Sequence, residues 1–255
     1  MIQSMRIGLL HPGAMGAAFG AALRTRGHDV LWVSQGRSAE TAERARAADL
    51  KAVATVADLA AQAELVLSIC PPHAALDVAR ELSGFDGLYV DANAVAPATA
   101  LEIQSLCRRF VDASIIGSPP MEGPTATLYL SGDDATGVAR LFAGTNVKAT
   151  VISDEVGAAS ALKMVYAAWT KGSAALLLAV QQTATAAGVD AELLAEWQHS
   201  QPQLPDQLVQ AQRSAMAKGW RWVGEMQEIA DFFASVGEPE GFHRAAADVY
   251  RRFPR

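Results

Sequence analysis

From residue 5 to residue 152 this chain alternates short apolar, β-branched runs with alanine-rich stretches of helical period, and after Ser153 the alternation stops. Strands separated by helices of this length imply βαβ units, so the first half is expected to form a doubly wound parallel α/β sheet. The runs are "MRIGLL", "DVLWVS", "KAVA", "LVLSIC", "GLYVDA" and "RFVDASII", with "TATLYLSG" and "VKATVI" as further strands at the far edge. Helices are expected over 14–26, stopped by Gly27, and around "AETAERARAA" and "DLAAQA". Residues 153–189 read as one proline-free helix of about thirty residues. Asp154 and Glu155 stand at its N-terminal end, where the macrodipole favours acids, and Gly188 is expected to terminate it. The rest has helical periodicity broken by prolines and glycines, and no strand pattern. The expected organisation is therefore an α/β domain over 1–152 and an all-helical domain over 153–255, joined by the long helix.

The first strand runs into "GLLHPGAMG", residues 8–16. Dinucleotide-binding turns use glycine three times: for a tight turn, for close approach of backbone to pyrophosphate, and for packing of the helix on the strand. Gly13 and Gly16 supply the last two. His11 stands where the turn-making glycine belongs, with Pro12 beside it to stiffen the turn. The motif follows a strand and opens a helix at the start of the first βαβ unit, so His11, Pro12, Gly13, Ala14, Met15 and Gly16 are the expected cofactor turn. The second strand ends "WVSQGRS", without an acid before Glu40 to bind the free ribose hydroxyl of NAD. Ser34, Arg37 and Ser38 offer hydroxyls and a guanidinium, groups suited to a 2′-phosphate, so NADP(H) is the expected cofactor.

Bulk properties bound the partners. Hydrophobic residues make up 51% of the chain and charged residues 19%, which gives a full core, and the net charge of −6 argues against nucleic acid or an anionic membrane. Cys70 and Cys107 are too few for a disulfide framework and suit a reducing compartment. His11, His28, His73, His199 and His243 show no metal-ligand spacing, so no metal site is expected. The N-terminus has no signal-peptide pattern, and "SAALLLAV" is too short to span a bilayer. The expectation is a cytoplasmic protein acting on a small molecule.

Over residues 1–180 the sequence "IGLLHPGAMGAAFGAALRTRGHDVLWV", with three later segments in order, resembles the β-hydroxyacid dehydrogenase and 6-phosphogluconate dehydrogenase superfamily of NAD(P)-binding proteins, imine reductases included. "LSICPP" is similar to the strand end and loop on the nicotinamide side, which would put Cys70 and Pro71 at the cofactor. "YVDANAVAP" is similar to a family stretch in which Asn93 replaces a usual Ser or Thr, again beside the cofactor. "FVDASIIGSPPMEGPTATLYLSG" lies where the family has its substrate-loop segment, and "GAASALKMVY" matches its glycine-then-lysine pattern on the interdomain helix. The resemblance implies a Rossmann-type domain, a helical C-terminal domain, and Lys163 as catalytic acid/base. Two departures matter: the family's Ser-Gly-Gly is Ile116-Gly117-Ser118 here, and the asparagine one turn after the lysine is Ala167, with Tyr166 just before it.

Hydride transfer at a C–O or C–N centre needs a proton donor or acceptor opposite the nicotinamide. Lys163, flanked by apolar residues, suits that role. Ser160, Lys163, Tyr166 or Ala167, and Thr170 recur at helical spacing as one polar stripe. Ser118, Asn93 and Lys163 are the expected substrate contacts. Hydroxyacid oxidation would need Lys163 as base. An imine reductase-type enzyme with Tyr166 as proton donor would better tolerate the lost asparagine, and the two chemistries stand side by side. A non-catalytic NADPH-binding sensor, and a scaffold without nucleotide, are the remaining classes. Trp197, Trp220, Trp222 and Met226 suit either a substrate wall or a core, and Glu225 and Glu228 are expected to be exposed. The long helix and apolar C-terminal half suggest a homodimer in which helices of two chains complete each site.

Overall fold

The computed structural model describes residues 4–120 and 125–253; Met121, Glu122, Gly123 and Pro124 of the expected substrate-loop segment lie outside the described residues. In chain order the elements are β1 (Arg6–Leu10), α1 (Ala14–Thr25), β2 (Asp29–Val33), α2 (Ala39–Ala47), β3 (Lys51–Val53), α3 (Val56–Ala60), β4 (Leu65–Ser68), α4 (Ala75–Glu81), β5 (Leu88–Asp91), α5 (Pro97–Ser105), β6 (Arg109–Gly117), β7 (Ala126–Ser131), α6 (Ala135–Leu141), β8 (Val147–Ser153), α7 (Ala158–Ala187), α8 (Asp190–Ser200), α9 (Leu204–Ser235) and α10 (Gly241–Tyr250). The chain divides into two compact units, residues 1–163 and 164–255. The last strand ends at Ser153, and the division falls further on, inside α7.

The first unit is one eight-stranded sheet of order β3-β2-β1-β4-β5-β6-β7-β8. Its central strands are buried on both faces, which is why they read as unbroken apolar runs. Alternate residues go to opposite faces: Ile7, Leu9, Leu65, Leu67, Leu88 and Val90 join Phe19, Ala22 and Leu23 of α1 in one core. Val66 and Tyr89 join Ala79 of α4 and Ile103 of α5 in the other. At roughly 1.5–3 kcal/mol for each large apolar side chain buried, these two layers supply most of what holds the sheet to its helices. α4, α5 and α6 are crossover helices that no sequence expectation included, because each is short and weakly patterned. Parallel pairing of β4 with β5, of β5 with β6 and of β7 with β8 requires them.

Two strands depart from the all-parallel expectation: β7 and β8 pair parallel with each other and run opposite to the other six. β7 runs antiparallel to β6, from Asp112 opposite Ser131 to Gly117 opposite Ala126. The connection between them is too short to hold a crossover helix, so the chain turns straight back. Gly117 makes this possible: its φ is +123°, and a Cβ there would lie 2.0 Å from the Thr125 carbonyl oxygen.

The second unit is helical throughout its described residues. α7 is 30 residues long and ends where expected, at Gly188 with φ +71°. Its N-terminus is a correction: Asp154 and Glu155 are exposed in the preceding turn, and other residues cap the helix, as shown below. α9 is a second correction, a single 32-residue helix running through Gly219 and Gly224 without interruption. Gly219 is buried where a Cβ would touch Phe253 and Tyr250 (3.4 and 3.5 Å), so its small size serves packing, not a break.

Candidate functional site

The residues expected at the cofactor follow the C-terminal ends of β1, β2, β4 and β5, where loops and helix N-termini meet. At the end of β1, His11 adopts φ +65°, the left-handed conformation that glycine takes without strain. The Gly13 amide donates to the His11 carbonyl (2.7 Å), closing the turn, and the Gly13 carbonyl accepts from the Ala17 amide (2.8 Å) to start α1. Pro12 is buried. At Gly16 a Cβ would sit 2.6 Å from the His11 carbonyl oxygen, so only glycine lets the helix close on the turn, whereas a Cβ at Gly13 would meet nothing within 4 Å. The helix has no side-chain cap and no acid in its first turn. An open glycine before an uncapped, acid-free helix N-terminus is the arrangement that accepts a pyrophosphate. Ala14 is exposed on that turn, while Met15 packs against the core.

Of the three polar groups after β2, two are partly committed. Ser34 Oγ donates to the Val53 carbonyl (3.0 Å), and Ser38 Oγ accepts from the Thr41 amide (3.2 Å) as the N-cap of α2. Arg37 is half-buried, and its Nε has no hydrogen-bond partner. Glu40 is engaged with Arg44. Residues 34–39 of this loop carry no acid.

A buried polar cluster joins the ends of β4 and β5. Asn93 Oδ1 accepts from the Cys70 amide (2.5 Å), and its Nδ2 donates to Ser68 Oγ (3.1 Å) and Asp91 Oδ1 (2.5 Å). Asn93 is only 2% exposed, so it holds the Cys70–Pro71 loop in place and does not project from it. Burial pushes the Asp91 carboxyl up to about 7, the charge of Asp112 on the next strand adds to this, and the Asn93 hydrogen bond opposes it. The Cys70 thiol is pushed up to about 12, chiefly by burial, which makes it unreactive. Pro71 is exposed, before a one-turn 3₁₀ helix that carries exposed His73.

Asp112 is the residue sequence analysis missed. Fully buried, its Oδ2 accepts from the Gly157 and Ser160 amides (3.0 Å each) and from Ser131 Oγ (2.9 Å), while its Oδ1 accepts from Ser160 Oγ (2.6 Å). Ser131 Oγ in turn accepts from the Ala159 amide (3.1 Å), so two strands of the sheet cap α7. Ser160 is thus spent inside the fold, and the expected polar stripe is broken. The available signal was an acid inside two consecutive apolar runs, "YVDA" and "FVDA": a buried carboxylate demands donors.

Lys163, one turn on from Ser160, donates from Nζ to the Ile115 carbonyl (2.8 Å), directly before Ile116-Gly117-Ser118. The catalytic and substrate-segment expectations therefore meet at the end of β6. Ser118 is exposed, paired through its backbone with Thr125.

Tyr166 belongs to the second unit and is 46% exposed; its carbonyl accepts from Thr170 Oγ1 (3.1 Å). Ala167 is buried. Glu225 is a correction: it is 5% exposed and ion-paired with Lys171. Tyr250 Oη donates to the Lys171 carbonyl (2.7 Å), and Trp222 stacks edge-on against the Tyr250 ring (5.0 Å). Trp197 and Met226 are core, and Arg221 lies over the half-buried Trp220 ring (5.1 Å). The same unit carries an apolar groove of about 550 Å³, lined among others by Val165, Trp169, Leu176, Phe233, Phe242 and His243. Among the described residues no group of three or more His, Cys, Asp or Glu side chains could hold a metal ion, and no helix is long and apolar enough to cross a membrane.

Comparison with known proteins fits this geometry. Residues 6–94 match the family described as NADP oxidoreductase, coenzyme F420-dependent, and residues 184–253 match a domain of unknown function, DUF1932. An uncharacterized 28.5 kDa protein from the 7S RNA 5′ region of Methanothermus fervidus is 32% identical over 193 residues, 74% of this chain and 75% of that one. The solved structure of MTH1747, a conserved protein of unknown function described as similar to 3-hydroxyacid dehydrogenases, is 29% identical with a TM-score of 0.72, covering 97% of this chain and 96% of that one. Two more distant structures share the fold. Mycobacterium tuberculosis 3-hydroxyisobutyrate dehydrogenase with L-serine has a TM-score of 0.74 at 18% identity, covering 98% and 94%. An Aspergillus terreus reductive aminase in complex with NADPH and ethyl levulinate has 0.60 at 17%, covering 98% and 93%.

Proposed function

This chain belongs to the family of the Methanothermus fervidus protein, within the β-hydroxyacid dehydrogenase and 6-phosphogluconate dehydrogenase superfamily of NAD(P)-binding proteins, and on that premise we propose that it is an NADP(H)-dependent oxidoreductase acting on a small-molecule C–O or C–N centre. The single observation that carries the proposal is the Lys163 side chain held on the Ile115 carbonyl (2.8 Å), near the C-terminal end of β6, a strand parallel to β1, whose C-terminal end carries the glycine turn. The residues present fit a dinucleotide: Gly13 is open, Gly16 closes the turn, and α1 offers free amides. Bound there, the nicotinamide supplies or accepts the hydride.

The chain's own residues do the rest. Ala14 and Met15, at the uncapped start of α1, would receive the diphosphate on backbone amides, the Gly13 amide being spent on the His11 carbonyl. Asn93, through the Cys70 amide, keeps the loop after β4 in one conformation, where it would help hold the nicotinamide. Lys163 passes a proton from Nζ to the developing alkoxide or amine in reduction, and takes it back in oxidation. Arg37, with no acid opposed to it, supports NADP(H) over NAD(H).

C=N reduction is the second chemistry, favoured by the replacement of the family's asparagine by buried Ala167, which removes a hydroxyacid partner. In that case exposed Tyr166 delivers the proton. The active form is a homodimer. Val165, Trp169, Gly172, Leu176 and Ala179 repeat at alternating four- and three-residue spacing, the seam that helices of two chains pack together, and all five line the groove.

The test is turnover of NADPH and NADP⁺ against cyclic imines, keto acids and hydroxy acids. Lys163→Ala is expected to lower kcat by roughly 10²- to 10⁴-fold, with NADPH binding unchanged. Full activity in that variant moves the proton to Tyr166. Tight NADPH binding without turnover on any substrate points to a sensor.

A further inference from the structure

Two buried nitrogens at the ends of β1 and β2 have no hydrogen-bond partner: His11 Nδ1 and Arg37 Nε. They lie within electrostatic reach of each other. Arg37 Nε–H can only donate, so its partner must be an acceptor, and none comes from the protein. His11 is the more telling residue. It holds φ +65° in a turn where glycine would cost nothing, and such strain concentrates where a side chain has work to do. Arg37 is the charge acting on His11, and the loop after β4 brings only the neutral Cys70 thiol towards Arg37. No carboxylate acts on His11 among the described residues, which leaves Arg37 as the charged side chain that does.

We propose that His11 is a specificity-determining residue: with Arg37 it clamps the 2′-phosphate of NADP(H), taking up a proton from solvent as it does so. The inference rests on the NADP(H) reading above and extends it to a residue outside the loop after β2. Without an anion beside it His11 is neutral, pushed down to about 4 by burial first and by Arg37 second. A dianionic phosphate reverses the second effect and draws the imidazolium form, whose Nδ1–H donates beside Arg37 Nε–H. Charge then balances, two negative charges against two positive ones. NADH, with a free hydroxyl, recruits no proton.

Calorimetric titration of NADPH and NADH into the full-length chain, in buffers of different ionisation enthalpy, counts the protons. Wild type is compared with His11→Asn, which tolerates the left-handed backbone and cannot titrate, and with His11→Gly and Arg37→Ala. In wild type, net proton uptake is expected with NADPH and not with NADH. NADPH affinity should rise about threefold more than in His11→Asn between about pH 8 and about pH 6.5, the His11→Asn profile giving the baseline set by the phosphate's own ionisation near pH 6. Both His11 variants should lose about tenfold of the preference for NADPH over NADH. Equal proton counts and equal preference in wild type and His11→Asn, with Arg37→Ala still weakening NADPH, would overturn the role of His11 and leave the NADP(H) reading intact. NADH bound as tightly as NADPH by wild type, or NADPH binding untouched in Arg37→Ala, removes the NADP(H) reading and this inference together.

Discussion

Apart from His28 before β2, the buried polar side chains of the first compact unit, Ser68, Asp91, Asn93, Asp112, Ser114, Ser131 and Ser160, lie on or beside β4 to β7 and α7, and hydrogen bonds hold them to one another or to nearby backbone. In the second, the buried polar or charged side chains among the described residues are Glu225, paired with the half-buried Lys171, and His243. Several of its large apolar side chains are exposed: Trp169 at 76%, Phe242 at 74% and Leu176 at 66%. The cause is backbone chemistry. Strand ends and helix N-termini present unpaired amides and carbonyls, so polar residues placed there find partners and a polar ligand finds donors. A long helix satisfies its own backbone, so only side chains remain to recognise anything. The first unit thus offers polar groups at its strand ends, and the second an apolar groove.

The largest expected effect tests the buried ion pair of the second unit. Lys171→Met strands the Glu225 carboxylate and should cost about 3–5 kcal/mol in urea unfolding, while Lys171→Met with Glu225→Leu should recover most of that loss. If both variants are equally unstable, the pair matters for packing and not for charge. Next comes the apolar face. Leu176→Glu appears twice in a symmetric interface and should cost about 3 kcal/mol of association, turning a dimer into a monomer by sedimentation equilibrium. A wild type that is already monomeric would break the comparison.

Within the first unit, Asp91 is the carboxyl whose value is raised, from 3.8 to about 7. The folded state then holds a proton that the unfolded state releases. Asp91 therefore stabilises fully below about pH 4, and that contribution is lost as pH rises towards about 7. Wild type should lose up to about 1.4 kcal/mol per pH unit across this window relative to Asp91→Asn, read from unfolding midpoints at several pH values. Parallel pH profiles would place Asp91 in contact with water. The smallest effect is at the cofactor turn: His11→Gly relieves the left-handed strain and should raise stability by no more than about 1 kcal/mol, part of the gain being offset by a freer unfolded chain.

Much of the fold was legible because strand and helix periods differ and glycines mark real boundaries. Gly27 and Gly188 both take positive φ at helix ends, and Gly16 stands where a Cβ would strike the His11 carbonyl oxygen. Short elements were not legible. α4 carries seven residues, too few for a pattern, and exists because β4 and β5 are parallel. Glu225 was read as exposed because its partner, Lys171, lies 54 residues away in sequence.

The sequence alone determined the alternating half and the helical half, the glycine turn, the absence of an acid after β2, and the lysine that follows a glycine on the long helix. Each is a local property, carried by residue type and spacing within a few turns of chain. Tertiary structure decided the rest. It set β7 antiparallel, gave Asp112 the task of capping α7 across more than forty residues, turned Asn93 inward to brace a loop, and brought Arg37 into reach of His11. Those outcomes depend on which buried polar group finds which partner, and burial is a property of the whole fold that no short stretch of sequence contains.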